Sequence, residues 1–178
     1  MSNKFFSGLT PGFRTLVFSG SRNCPVCVRA AMACFDGVLP VHRVLVGDAS
    51  GVDTLFADAF PSQTEVFYAA SFGVGKSAFA RRSVAVVRAC SVERGLFCSF
   101  PSGACPASIV APAPVVSRCF CGGGSGSWAS LAFAVGLGCA CFVSCPSALA
   151  PSWLVSRATS LGGGSWFVPA VAPVPLLF

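Results

Sequence analysis

Short continuous apolar runs alternate along this chain with stretches whose apolar residues recur at helical spacing. Residues 14–19 form a β-rich run stopping at Gly20, which predicts a buried strand and a tight turn. Residues 25–36 predict a helix: Pro25 suits its first turn, Val28, Met32 and Phe35 share a face, and Gly37 ends it. Residues 43–46 predict a second strand, again ending at a glycine, Gly47. A loop to Asp53 follows, with Asp53 placed to cap a helix over 54–60 whose apolar face is Leu55, Phe56 and Ala59. Residues 65–68 predict a third strand, and Gly73 and Gly75 a loop. The clearest helix spans 76–90, with Phe79, Val86 and Val87 inside and Arg81, Arg82 and Arg88 at its edge.

Residues 96–100 predict a fourth strand, 101–114 a Pro/Ala/Ser-rich loop, and 115–120 another short strand. Gly122 to Ser127 is a second glycine loop, entering a helix over 128–137 and a strand over 139–144. In the tail, 166–168 predicts an edge strand, while Pro169 to Phe178 is not expected to be helical. Strands that are apolar throughout and alternate with helices bury both faces of a sheet. The pattern therefore predicts an α/β, Rossmann-like three-layer domain with a mostly parallel sheet. The expected division is a domain over residues 1–145 and an apolar, Pro/Gly-rich extension over 146–178, packing on the domain or on a partner subunit.

Composition adds a question of coverage. Hydrophobic residues make up 54% of the 178 and charged residues 10%, against about 25% charged in an ordinary soluble domain. Of the charged side chains only Arg118 and Arg157 lie beyond Arg94. An apolar second half points to a homo-oligomer, a dimer or larger. A membrane span is not expected, because the apolar stretch 131–146 is interrupted by glycines and shorter than the ~20 residues a spanning helix needs. Met1 to Phe6 has no apolar signal core, so the expected location is cytoplasmic. The net charge of +6 is scattered rather than clustered with aromatics, which argues against specific nucleic-acid binding.

Eleven cysteines then read as reduced thiols, mostly small buried hydrophobes. Cys24 and Cys27 form a CxxC with redox or half-zinc-site potential, but a second CxxC at zinc spacing is missing and His42 is the sole histidine. No metal is expected. His42 reads as a surface residue, and Trp128 as a packing residue of its helix.

The candidate chemistry lies in glycine loops that precede helices: Gly20-Ser21-Arg22, Gly47 to Asp53, and Gly122 to Ser127. In an open parallel sheet, ligands sit at the carboxyl ends of strands, where helix N-terminal amides favour phosphate. Ser21, Ser125 and Ser127 add hydroxyls, and Arg22 a phosphate-matching fork. Gly75-Lys76-Ser77 lacks the spacing of a P-loop.

Taken in order, Phe18 to Arg22, Val46 to Asp53, Gly75 with Ala80-Arg81-Arg82, and Gly124 to Trp128 with Ala132 and Ala134 give a set that resembles the SLOG superfamily. That Rossmann-like group includes DprA-type and LOG-type proteins, and the likeness is nearest to its small stand-alone YspA-like members, over roughly residues 14–143. The resemblance implies binding or sensing of a nucleotide or nucleotide-derived ligand. It puts phosphate on Gly20, Ser21, Arg22 and Ser125, Gly126, Ser127, with Gly47, Asp48, Gly51 and Gly124 also counted among the ligand-binding residues. It has Asp53 cap its helix or meet a ribose hydroxyl, and Arg82 reach the ligand from the third helix. LOG-type members cleave nucleoside monophosphates with a glutamate after the second glycine turn. Ser130 stands near that place here, and no acid follows Glu93. Cleavage of a glycosidic bond wants a carboxylate at the reacting centre, and only Asp48 and Asp53 remain. Binding is therefore favoured over a nucleotide-processing hydrolase. The third reading is a self-assembling structural protein with a vestigial pocket.

Overall fold

A computed structural model describes residues 8–38, 43–122 and 124–171. His42 and the last seven residues of the tail lie outside them. Seven strands form one sheet: β1 (Thr15–Gly20), β2 (Arg43–Gly47), β3 (Thr64–Phe67), β4 (Leu96–Phe100), β5 (Ala140–Ser144), β6 (Thr159–Gly162) and β7 (Ser165–Val168). Their order is β3-β2-β1-β4-β5-β7-β6. The first five are parallel, and β7 pairs antiparallel with both β5 and β6. The protein has a mostly parallel α/β fold of the Rossmann-like, three-layer kind.

Alternation along the strands sorts the core into two layers. Val17, Leu45, Phe97, Cys141 and Val143 face α4 (Lys76–Val92) and α6 (Gly126–Gly136). Leu16, Phe18, Val44, Val46, Leu96, Cys98 and Phe142 face α1 (Pro25–Met32), α2 (Phe35–Val38) and α3 (Val52–Ala59). Because successive side chains point to opposite faces, an unbroken apolar run is what a strand covered on both sides requires. Chain order makes β1 and β4 neighbours whose connections leave to opposite faces. A crevice opens at the carboxyl ends of such a pair.

Several elements differ from the sequence reading. The helix expected over 25–36 breaks after Met32. Residues 35–38 form a separate turn that includes Gly37, and this swings Phe35 edge-on against Phe56 and Phe60, at 5.3 and 5.2 Å. α1 buries Cys27 and Ala31 and leaves Met32 half exposed. α3 starts at Val52, with Gly51 at its N-cap, so Asp53 lies inside the first turn rather than capping it. Residues 116–119 are a short helix, α5, not a strand. β4 already has β1 on one side and β5 on the other, so no slot remains for that run. The 166–168 run is not at the edge: β7 lies between β5 and β6.

The apolar second half is largely covered within the one chain. α6 buries nine residues from Ser127 to Val135. Trp128 meets Trp153 of α7 (Ser152–Val155) edge to face at 6.0 Å, and Trp166 and Val168 join the same core. The stretch once weighed as a membrane span is thus α6 and β5, both interior. Among the described residues no helix is long and apolar enough to cross a membrane.

Candidate functional site

The crevice at the switch point encloses about 1160 Å³. Its walls come from the turn after β1 (Gly20 to Asn23), Ser102 after β4, the start of α4 (Lys76, Ser77, Phe79) and the glycine loop leading into α6. Of the residues singled out by sequence, Gly20, Ser21, Arg22, Asp53, Arg82, Gly124, Ser125, Gly126 and Ser127 line it. Gly47, Asp48 and Gly51 do not line it and instead shape the packing beneath it.

The glycines of the first two loops are small because the protein itself crowds them. A Cβ on Gly20 would strike the Val52 side chain, and one on Gly47 the guanidinium of Arg82. Gly51 carries both constraints: its φ is +84°, and a Cβ would run into the carbonyls of Ser21 and Arg22. That contact locks the second loop against the first. Gly124 is different. Its φ is +119°, and the space where a Cβ would stand is open, so backbone there is accessible to a ligand.

The first turn is tied down from behind. The Ser21 amide donates to the Phe100 carbonyl at 3.1 Å, so this amide is engaged and not offered to the crevice. The Ser21 hydroxyl donates to Ser102 Oγ at 2.7 Å and accepts from the Ser102 amide at 2.9 Å. Opposite it, Ser125 caps α6 by accepting from the Trp128 amide at 3.5 Å. The amides of Gly126 and Ser127, at the helix start, precede the intrahelical ladder and point outward from it. Trp128 is fully buried, and its indole N–H donates to the Gly103 carbonyl at 2.7 Å. It is a packing residue that also pins the loop after β4.

Arg82 sits on the crevice floor, 8% exposed. Its Nη1 binds Asp48 Oδ1 at 2.5 Å and lies 3.9 Å from Asp53 Oδ2. Asp48 also accepts from the Ala69 amide at 2.9 Å, and Asp53 from the Ala49 amide at 3.3 Å. The two carboxyls respond differently. Partial burial opposes ionisation of Asp48, but the Ala69 amide and Arg82 outweigh it, and its pKa is lowered. Deeper burial pushes Asp53 up to about 6, only partly offset by Arg82 and the Ala49 amide. Asp48 is therefore a fixed anion, whereas Asp53 titrates close to neutrality.

Three contributors escaped the sequence reading. Phe79, expected inside, is 39% exposed. Arg22 lies over its ring, Cζ to centroid 4.7 Å, and Arg82 approaches the same ring at 5.8 Å. Ser102 belongs to the Pro/Ala/Ser-rich loop after β4, and Lys76 to a tripeptide that lacks P-loop spacing. Ser130 is buried beside Arg82, Asp53 and Ser19 under the crevice. Among the described residues no cluster of three or more His, Cys, Asp or Glu is arranged to hold a metal.

Comparison with known proteins adds no further constraint: no protein-family model, no curated protein and no solved structure matches the chain.

Proposed function

We propose that the crevice between the β1 turn and the start of α6 binds a nucleotide or nucleotide-derived phosphate ligand, as a binding or sensing module in the cytoplasm. The observation that carries this reading is the convergence of Arg22, Lys76, Gly126 and Ser127 on one open cavity at the switch point. Among the described residues the only carboxyl lining that cavity is Asp53, which faces Arg82 Nη1 at 3.9 Å. A helix N-terminus, a guanidinium fork and serine hydroxyls suit phosphate oxygens, and Phe79 gives a base an aromatic surface. The resemblance to the SLOG superfamily supports the same ligand class.

The test is a panel of nucleoside mono-, di- and triphosphates read by thermal shift and calorimetry. At least one should raise Tm, since a ligand bound only to the folded state stabilises it. Arg22→Ala should then weaken binding by about 10- to 100-fold, the worth of a charge-assisted hydrogen bond, with the fold retained. A panel that leaves Tm unmoved, or an Arg22→Ala protein with unchanged affinity, would end this reading.

One observation keeps hydrolysis as a second reading. Asp53 lines the cavity with a pKa near the range a general acid or base needs. Release of free base from a nucleotide, abolished in Asp53→Asn, would favour it.

A further inference from the structure

The CxxC motif has a geometry that nucleotide binding does not use. Cys24 is the N-cap of α1 and Cys27 its third residue, separated by Pro25 and Val26. These positions share one face of a helix start, with Cβ atoms about 5–6 Å apart, within a small adjustment of the separation a disulfide needs. The Cys24 sulfur already leans over that turn, accepting from the Cys27 amide at 3.2 Å. Exposure splits the two thiols. Cys24 is partly open to solvent, while Cys27 is 6% exposed. Most other cysteines are buried in the two core layers, including Cys90, Cys98, Cys139 and Cys141.

We propose that Cys24 and Cys27 are a reversible dithiol that exchanges with disulfides of small thiols of the glutathione class. The Cys24 thiolate attacks one sulfur of the disulfide; a Cys24–thiol mixed disulfide forms and the other half leaves as a thiolate. Cys27, losing its proton to solvent base, attacks the Cys24 sulfur and expels the second thiolate. Two protein thiols are oxidised to one disulfide, and one small disulfide is reduced to two thiols. The second step is intramolecular, so Cys27 needs only to lose its proton and not to be reached by the small disulfide.

The electrostatics divide the roles in the same direction. Partial burial opposes ionisation of Cys24, but the thiol and amide of Cys27, the Val26 amide and the Arg29 guanidinium outweigh it and hold its pKa below the ordinary thiol value. Burial, with the Cys24 sulfur beside it, pushes Cys27 up to about 12. The attacking thiol is thus the exposed one, and the resolving thiol is protected. This inference stands independently of any ligand in the crevice.

Arg22 and Arg29 flank the pair, so tryptic cleavage isolates both cysteines in one peptide, residues 23–29, with no other cysteine. The native full-length protein is equilibrated with glutathione disulfide, quenched with acid, alkylated and mapped by mass spectrometry. The 23–29 peptide should lose two hydrogens and recover them in excess reduced glutathione. In Cys27→Ser, Cys24 should stop at the glutathione adduct, forming it faster than exposed Cys121, since a lowered pKa raises the thiolate fraction. In Cys24→Ser, where serine keeps the cap, Cys27 should remain a thiol. A wild-type 23–29 peptide with both cysteines still alkylated would overturn the proposal. So would an adduct on Cys27 instead of Cys24, or a Cys24 rate equal to that of Cys121.

Discussion

At the scale of single residues, the two aspartates of the second loop show how environment separates identical groups. Asp48 meets Arg82 directly and an amide besides, and stays ionised. Asp53, one helical turn away, is buried more deeply with weaker partners, and its pKa rises to about 6. The sign for stability follows. Between the ordinary value of 3.8 and about 6, the folded chain holds a proton on Asp53 that the unfolded chain has released. Stability from this group is highest below pH 4, falls as pH rises to 6, and is level beyond. Urea unfolding of wild type and Asp53→Asn at pH 4 and pH 6.5 checks this: the variant should lose less stability across the interval. An equal loss in both would show that Asp53 is not the group responsible. Arg22 and Phe79 make the complementary point that an aromatic on an apolar-looking helix face is held outward by a cation above its ring.

Elements are held in place by a few buried polar links as well as by apolar contact. α4 packs its Val84, Val86, Val87 and Cys90 against the sheet, yet its attachment to the end of β2 also depends on Arg82, through Asp48 and Asp53. Gly47 is small so that this guanidinium can lie against the strand end. Arg82→Met should keep the volume but leave Asp48 and Asp53 facing each other without a cation. Breaking a buried ion pair from one side costs about 3–5 kcal/mol, and the loss should show in urea unfolding. It should shrink at pH 4, where Asp53 is neutral. A loss of under 1 kcal/mol at neutral pH would mean that Arg82 carries little of the α4 attachment. α5 and the break between α1 and α2 show the limit of local reading. Each is set by what the neighbouring element leaves available: a filled sheet in the first case, an aromatic cluster on α3 in the second.

Over the whole molecule, the described part of the apolar second half supplies strands of the sheet and helices that cover it. β7 covers the open side of β5 through four residue pairs, Cys141 with Val168 to Ser144 with Ser165. Trp153, Leu154 and Trp166 complete the layer over α6. A chain ended at residue 145 would expose the edge of β5 and uncover Trp128 and Val143. Such exposed apolar edges aggregate. The truncated protein should therefore be insoluble or lack a cooperative thermal transition, measured by circular dichroism. A cooperative, monomeric 1–145 fragment would show that the hairpin is dispensable. The scarcity of charge beyond Arg94 goes with strands and a helix that are largely buried within the one chain.

Much of the fold was legible because its signals are local. A strand covered on both faces must be apolar at consecutive positions, and residues 16–18, 44–46 and 96–98 are. A turn that leaves a strand for a helix favours glycine, and Gly20 and Gly47 stand at such turns. Those facts place the alternation of strands and helices, and with it the parallel sheet and the end of the sheet where loops gather. What each loop residue does was decided by contacts far apart in sequence. Whether Arg82 faces solvent or two aspartates, whether Ser21 offers its amide or spends it on Phe100, and whether Phe79 turns in or out depend on what another segment brings near. Local sequence sets which conformations a segment can adopt; only the packed chain sets the neighbours that determine charge, exposure and reactivity.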